Sequence, residues 1–202
     1  LIAFDLDGKT LPSTVPSARV ERAAWVGGAG AFVCHVAGPR VRFHAADGSV
    51  VAEHEGDFVG LESTRGFAEE AALLRAPADV TVHAPDGALL RTLALAPGQT
   101  TSWYHPSAVG PAMLVTYPTG ARGSVLATCR YVDAQGATRW ETPVGGAGVM
   151  GAMISPDGER VAVVVSGGVS LRDGTGAEIA SLRLAGGISW LAFDGVGRQL
   201  AA

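Results

Sequence analysis

The chain is poor in the residue types that bind nucleic acid or build a disulfide framework. Its 202 residues include two cysteines, and Lys9 is its only lysine. The remaining basic residues are arginines that never gather into a run, and the net charge is −4. An acidic chain without a basic patch has no general attraction to phosphate or anionic lipid, so we expect no nucleic acid partner. The preference for arginine over lysine, with abundant alanine and glycine, is typical of a GC-rich bacterial genome.

Long apolar runs and catalytic motifs are also missing. No stretch approaches the roughly 18 uninterrupted apolar residues of a membrane helix, so we expect no membrane insertion. The HExxH, paired CxxC and Gly-x-Ser-x-Gly patterns do not occur, and we expect no metal and no cofactor. Cys34 and Cys129 fall within expected strands, where a thiol is most often a small core group. The first residue is Leu1 rather than Met, and because preceding residues could carry a targeting signal, the compartment is left open.

What the chain does contain is a repeated pattern of short apolar strands and tight turns that end in glycine. The clearest copy is Val169–Leu182, where alternating apolar positions lead into the polar corner Asp173–Gly176 and resume beyond it. Glycine accepts the positive φ that such a corner requires. The turn glycines stand at positions 8, 48, 87, 136 and 176, so their spacings are 40, 39, 49 and 40.

Repeats of about forty residues with four strands each are the sequence signature of propeller blades. We therefore predict an all-β fold, a five-bladed β-propeller of four-stranded antiparallel blades over residues 1–202. Four blades are expected at about 20–56, 57–97, 101–145 and 148–186. The stretch Phe67–Arg75 contains good helix formers, but we assign it to a strand because the neighbouring register requires one there. A loop is expected near Pro118–Ser124.

The two ends of the chain are predicted to complete the fifth blade together. Residues 188–202 supply two inner strands and residues 1–14 supply two outer ones, so that Leu1–Asp5 lies antiparallel to Gln199–Ala202. This closure removes sheet edges that would otherwise invite aggregation. The circular interval from Gly176 back to Gly8 is 34 residues, shorter than its neighbours, and we expect that residues are missing at this junction.

The repeats resemble those of bacterial WD-repeat-like propellers, with some blades similar to the quinoprotein type. The residues that carry the resemblance are ISPDGERVAVVVSGGVSLRDGTGAEIASL and RYVDAQGATRW. In the second of these, Trp140 matches the docking tryptophan of quinoprotein blades. The chain departs from both families, because it lacks the Gly-His and Trp-Asp pairs and has Leu171-Arg172-Asp173 in place of the latter. The resemblance implies a fold and names no ligand.

The first residues also resemble another family. FDLDGK is similar to the first motif of haloacid-dehalogenase phosphatases, in which the positions of Asp5 and Asp7 supply a nucleophile and an acid-base group. Lys9 stands where that motif has Thr, and Pro12 and Pro16 interrupt the helix that should follow. We therefore interpret this stretch as a strand-turn-strand corner whose Asp and Gly residues serve turn geometry.

Other candidate chemistry rests on scattered single residues. His44 and His83 each precede a turn glycine by four residues, but equivalent positions lie on separate blades, so we interpret them as structural rather than as metal ligands. A propeller hydrolase would need carboxylates that meet in the central pocket. Glu21, Glu62 and Asp194 are the candidates for that role.

Aromatic residues give the sharper hypothesis for a site. Three of the four tryptophans, Trp25, Trp103 and Trp190, fall in the innermost strands of their expected blades, and Trp103 belongs to the cluster TTSWYHPS. The polar run TTS before Trp103 suits a loop that reaches solvent. Trp, Tyr and Arg residues carry much of the energy of protein interfaces. We predict a partner-binding rim, with the WYH cluster partly exposed at one end of the channel; it consists of Trp103, Tyr104, His105, Trp25, Trp190 and Arg22. Packing of these rings between blades is the alternative.

These observations favour a non-catalytic protein-interaction or scaffolding propeller, because the sequence predicts a rigid frame with variable loops and shows no set of catalytic residues. A lectin-like propeller that binds carbohydrate is the second possibility and would need a pocket that recurs in each blade. A propeller hydrolase is the third. The expected partner is thus a protein, and a sugar or another small molecule is the alternative.

Overall fold

A computed structural model of the chain describes residues 20–26, 31–36, 39–56, 58–63, 70–75, 79–118, 127–144, 152–165, 167–184, 188 and 191–201. Every regular element within these ranges is a β-strand. No helix there has the length and apolar character that crossing a membrane requires. The chain divides into two compact units, Leu1–Ala76 with Val80–Thr92 and Pro77–Asp79 with Leu93–Ala202.

The first two sheets fall almost wholly in the first unit. Each is a four-stranded antiparallel meander in chain order. The strands of the first sheet are β1 (Val20–Val26), β2 (Ala31–Val36), β3 (Arg40–His44) and β4 (Val50–Glu55). Those of the second sheet are β5 (Phe58–Ser63), β6 (Ala71–Arg75), β7 (Asp79–His83) and β8 (Leu89–Ala94). The ambiguous stretch is a strand from Ala71 onward, and residues 64–69 lie outside the described residues.

The second unit holds two further four-stranded sheets and one strand pair. The third sheet consists of β9 (Gln99–Pro106), β10 (Ala112–Pro118), β11 (Ala127–Val132) and β12 (Thr138–Val144). The fourth sheet consists of β13 (Ala152–Ile154), β14 (Arg160–Val165), β15 (Gly168–Asp173) and β16 (Glu178–Arg183). The last pair is β17 (Ala192–Phe193) with β18 (Leu200–Ala201), and it is antiparallel. The expected loop near Pro118–Ser124 begins where β10 ends, and its other residues lie outside the described ranges.

The residue pattern of each strand follows its place in the sheet. Side chains of a strand alternate between the two faces, so a strand covered on both faces is apolar throughout. In β14, Val161 and Val163 pack in one apolar cluster with Met113, whereas Ala162 packs in another with Leu191. The last strands, by contrast, are largely exposed, and every residue of β16 is exposed. Among the side chains that the structure describes, exposed positions are therefore concentrated in the last strand of each four-stranded sheet.

The all-β prediction is confirmed for the described residues, as are four successive antiparallel sheets of four strands. Residues 1–19 lie outside the described ranges, and so do the predicted corner at Gly8 and its proposed pairing with Gln199–Ala202. The five-bladed closure thus stays a prediction.

Candidate functional site

The turn between the last two strands of each four-stranded sheet is organised around an aspartate, and so are two other turns, those from β13 to β14 and from β17 to β18. In each, the side-chain Oδ1 accepts a backbone N–H two to five residues further along, as Asp173 does from Thr175 at 2.8 Å. Such Asx turns hold the chain in the corner that glycine then closes with positive φ. The turn aspartates are Asp47, Asp86, Asp133, Asp157, Asp173 and Asp194. The Oδ1 atoms of these aspartates are therefore engaged in hydrogen bonds that stabilise the turns.

A second side chain braces three of these turns from the position four residues before the glycine. Nδ1 of His44 lies 2.9 Å from the Gly48 carbonyl oxygen, and Nδ1 of His83 lies 3.0 Å from that of Gly87. Arg172 makes the equivalent contact, from Nη1 to the Gly176 oxygen at 3.1 Å. A carbonyl only accepts, so the histidine nitrogens donate. Among the described residues no three His, Cys, Asp or Glu side chains are grouped to hold a metal.

The turn glycines also let neighbouring sheets approach closely. A Cβ built on Gly87 would overlap Ala52 of the preceding sheet, and one built on Gly176 would come within 2.9 Å of Trp140 Cγ. Trp140 stacks on Tyr131, with ring centroids 5.6 Å apart and an interplanar angle of 4°. Its Nε1 is buried without a hydrogen-bond partner among the described residues. The tryptophan of the third sheet thus packs on the turn of the fourth.

A groove opens beside this stack, in the second unit. Tyr131 forms part of its wall and is 7% exposed, and the Tyr131 hydroxyl donates a hydrogen bond of 2.9 Å to the Gly158 carbonyl. The groove has a volume of about 570 Å³. Its lining combines apolar side chains with charged turn residues, which are Pro111, Tyr131, Asp157, Gly158, Glu159, Arg160, Asp173, Gly174, Thr175 and Ile179.

The charged residues of this lining are mostly acidic. They are the carboxylates of Asp157, Glu159 and Asp173 and the guanidinium of Arg160. That guanidinium is already engaged, because Arg160 Nη1 donates to the Gly197 oxygen at 2.7 Å. The Thr175 hydroxyl holds the pKa of Asp173 below its ordinary value. Burial alone would raise the pKa of Asp157, but the hydrogen bonds from Ser155 and from a backbone N–H outweigh it and lower that pKa. Both aspartates are therefore ionised at neutral pH, and the groove can attract a cation.

The predicted WYH cluster lies on β9, and the polar run before it belongs to the same strand rather than to the expected loop. Its three residues pair in register with β10, as Tyr104 does with Leu114. Tyr104 is 1% exposed, so the expectation that its ring is partly exposed is wrong. Because β9 extends to Pro106, Tyr104 lies within the strand. Successive side chains of a strand point to opposite faces of the sheet, and that of Tyr104 points to the buried face. His105 is half-buried, and the side chain of Trp103 lies outside what the structure describes.

The other members of the predicted rim can be placed only by their backbone. Arg22 and Trp25 lie on β1, opposite His35 and Phe32 of β2, and they belong to the first unit. Their side chains are not among the described features. Trp190 lies outside the described residues altogether. The role of these residues in binding stays a prediction.

Of the three carboxylates proposed for a hydrolase, the structure describes the side chain of Asp194. Asp194 uses Oδ1 to accept the backbone N–H groups of Arg198 and Gln199, at 2.6 and 3.0 Å, which is a turn role. The side chains of Glu21 and Glu62 lie outside the described residues.

Cys129 is a free buried thiol, and burial raises its pKa far above the ordinary value. The prediction of a core thiol is confirmed for Cys129.

Reasoning from the sequence missed the groove, although one signal for it was present. Tyr131 and Trp140 stand five residues before and four residues after the turn glycine of the third repeat. No other described repeat has aromatic residues at both positions. The corresponding pairs are Phe43 with Ala52, Val82 with Arg91 and Leu171 with Ala180. Comparing repeats position by position would have singled out this pair.

Comparisons with known proteins identify a fold and no family. No family model matches the chain, and no curated protein matches it either. Among solved structures, 648 chains match. One is described as "KlHsv2 with loop 6CD replaced by a Gly-Ser linker", with a TM-score of 0.64 and 13% sequence identity. The match covers 92% of this chain and 60% of that one. At this identity the likeness concerns the fold alone, which does not determine function.

Proposed function

We propose that the chain is a non-catalytic β-propeller of five blades that acts as a protein-interaction or scaffolding module. Four consecutive antiparallel sheets, each of four strands in chain order, support this architecture. The β17–β18 pair supports it as the inner half of a fifth blade, which residues 1–14 would complete. The resemblance of the repeats to WD-repeat-like and quinoprotein-like blades agrees with this arrangement.

The use of the turn carboxylates supports a non-catalytic role. A glycoside hydrolase needs two carboxyl groups that are free to act on a bond between them. Asp157, Asp173 and Asp194 each commit Oδ1 to turn hydrogen bonds. The hydroxyl of Thr175 likewise donates to Asp173 Oδ1 at 2.6 Å. These groups are thus anchored to the backbone of their turns.

The composition of the groove is the observation that carries the proposal. Tyr131, Pro111 and Ile179 provide apolar surface, and Asp157, Glu159 and Asp173 provide negative charge. Such a lining complements a side chain with an aliphatic stem and a cationic head, as in arginine or lysine. We assign the groove to a basic segment of a partner protein in which an arginine or lysine is flanked by apolar residues. A lectin-like role lacks support, because the aromatic pair does not recur in the other described repeats.

Two synthetic peptides test this assignment by titration calorimetry. One carries an arginine between leucines, and in the other a glutamate replaces that arginine. We expect binding of the first alone. Asp173→Asn, which keeps the turn acceptor and removes the charge, should weaken binding about two- to fivefold, as for one partly solvated charge pair.

Asp47→Asn is the matched control for this experiment. Asp47 accepts the N–H and hydroxyl of Ser49 just as Asp173 accepts those of Thr175, but it does not line the groove. Equal binding of both peptides, or an equal effect of Asp47→Asn, would refute the assignment. Binding that is lost in Trp103→Ala and unchanged in Asp173→Asn would transfer the site to the aromatic rim.

A further inference from the structure

Among the strands that the structure describes, the last strand of each four-stranded sheet is paired on one side only and leaves its other edge open. These strands are β4, β8, β12 and β16. An open edge presents unpaired N–H and C=O groups and can add a further strand. Among the four, β16 differs because all of its residues are exposed, including Ile179 at 54% and Leu182 at 55%.

The direction of the backbone groups in β16 follows from its pairing with β15. The N–H of Leu184 donates to the Gly167 oxygen at 3.0 Å. Hydrogen-bonded and non-bonded pairs alternate along an antiparallel ladder, so the pairs formed by Leu182 and Ala180 are bonded to β15. The N–H and C=O groups of Ser181 and Arg183 consequently point away from β15, toward the open edge.

The side chains of β16 are self-complementary about Ser181. The register with β15 skips Ile179, which forms a bulge, and pairs Glu178 with Arg172. Glu178, Ser181 and Arg183 therefore share one face, and the hydrogen bond of 2.7 Å from the Ser170 hydroxyl to Glu178 agrees with that placement. A second β16 laid antiparallel with Ser181 opposite Ser181 brings each Arg183 opposite the bulge that contains Glu178. Opposite charges placed so stabilise a pair of strands.

The strands β4, β8 and β12 are not self-complementary in this way. The comparison uses the residues that stand at the same distances from the turn glycine as Glu178, Ser181 and Arg183 do in β16. A twofold pairing of β4 would set Glu53 against its own copy, and a twofold pairing of β12 would do the same with Glu141. Pro143 stands in β12 where Arg183 stands in β16, and proline has no N–H to donate. In β8 the positions of Glu178 and Arg183 are taken by Leu89 and Ala94, which form no charge pair. Like charges directly opposite each other are destabilising.

We infer that two copies of this chain associate through β16, edge to edge and antiparallel, about a twofold axis at Ser181. The interface is isologous, so each copy gives and receives the same contacts and the assembly closes at two. It joins two four-stranded sheets into one of eight strands. Two Glu178–Arg183 contacts flank the axis, and Leu182 of each copy lies opposite Ala180 of the other.

Sedimentation equilibrium of the full chain tests this inference. We expect the mass of the wild type to rise with concentration from 20.5 kDa toward twice that value. Arg183→Glu sets two carboxylates against each other, and Glu178→Arg sets two guanidinium groups against each other, so each variant alone should stay monomeric. Mixed together, the two variants restore both opposite-charge contacts and should form a dimer.

The mixture separates a pairing defect from a folding defect, because a misfolded variant is not rescued by a partner. Glu55→Arg is the matched control, since Glu55 occupies on β4 the repeat position of Arg183 on β16. This variant should dimerise as the wild type does. A wild type that stays monomeric at concentrations on the order of 100 μM, single variants that dimerise like the wild type, or a mixture that stays monomeric would each overturn the inference.

Discussion

Single glycines in this chain satisfy two constraints at once. Gly176 has a φ of +89°, a conformation that costs a residue with a Cβ about 1–2 kcal/mol. It also leaves room for the ring of Trp140 from the preceding sheet. The turn residue thus determines both the corner and the distance between two sheets.

Gly176→Ala and Gly98→Ala separate these two effects. Gly98 has a φ of +76°, and a Cβ there would meet nothing within 4 Å. We expect Gly98→Ala to cost only the conformational term, about 1–2 kcal/mol. Gly176→Ala should cost about 1–3 kcal/mol more, because the indole must move from its packed position. Urea unfolding of both variants measures the difference, and equal losses would mean that Trp140 does not constrain this turn.

At the scale of the element, the aspartate turn is the repeated unit that the fold depends on. The Asp133 carboxylate accepts backbone N–H groups from Gln135 and Ala137, and Asp173 does the same with Thr175 and Ala177. The bond from Ala137 to Asp133 and that from the Thr175 hydroxyl to Asp173 hold the pKa of each below its ordinary value. Ionised aspartate is therefore the form that stabilises the turn.

The pH dependence of stability follows from these pKa shifts. Because the folded-state pKa of Asp173 is lowered, its contribution is fully present above the unfolded-state pKa of about 3.9. It is lost as the pH falls through the folded-state value, since the unfolded chain then binds more protons. We expect Asp173→Asn to lose less stability than the wild type between pH 7 and about pH 3.

Urea unfolding at the two pH values checks this expectation. Glu55→Gln is the control, because Glu55 is an exposed residue of an outer strand with no side-chain hydrogen bond among the described contacts. It should keep the acid sensitivity of the wild type. Equal acid sensitivity of Asp173→Asn and the wild type would show that this turn does not depend on the charge.

Strands and turns could be predicted from the sequence because their signals are local. Alternation of apolar residues and the Asp-Gly corners predicted β3 and β4 around Gly48, and the same signals predicted β15 and β16 around Gly176. The groove beside Tyr131 depends on turns that are distant in the chain, such as those at Pro111, Asp157 and Asp173. The polar stretch before Tyr104 indicated a loop, whereas pairing with β10 made it a strand. Local composition carries no information about such pairing.

At the scale of the whole molecule, the proposed ring depends on the strand pair at the end of the chain. β18 is paired with β17 on one side, and its other edge is the place where the closing blade requires residues 1–5. An open array of sheets would leave that edge exposed, whereas a closed one covers it. The contact between the two termini therefore decides between them.

Disulfide cross-linking tests this contact. Neighbouring antiparallel strands have Cα atoms about 4.5–5.5 Å apart, within the range that a disulfide spans. Ile2→Cys, Ala3→Cys and Phe4→Cys, each combined with Ala201→Cys in a chain whose Cys34 and Cys129 are replaced by alanine, scan the register. We expect one or two of these pairs to oxidise readily, and the bridged chain should melt at a higher temperature, because the bond closes a loop of nearly the whole chain in the unfolded state. Ser49→Cys with Ala201→Cys is the control, because the proposed ring assigns these two residues to different blades and predicts no bridge between them. If no pair oxidises faster than this control, the two ends do not share a sheet, and the five-bladed ring is wrong.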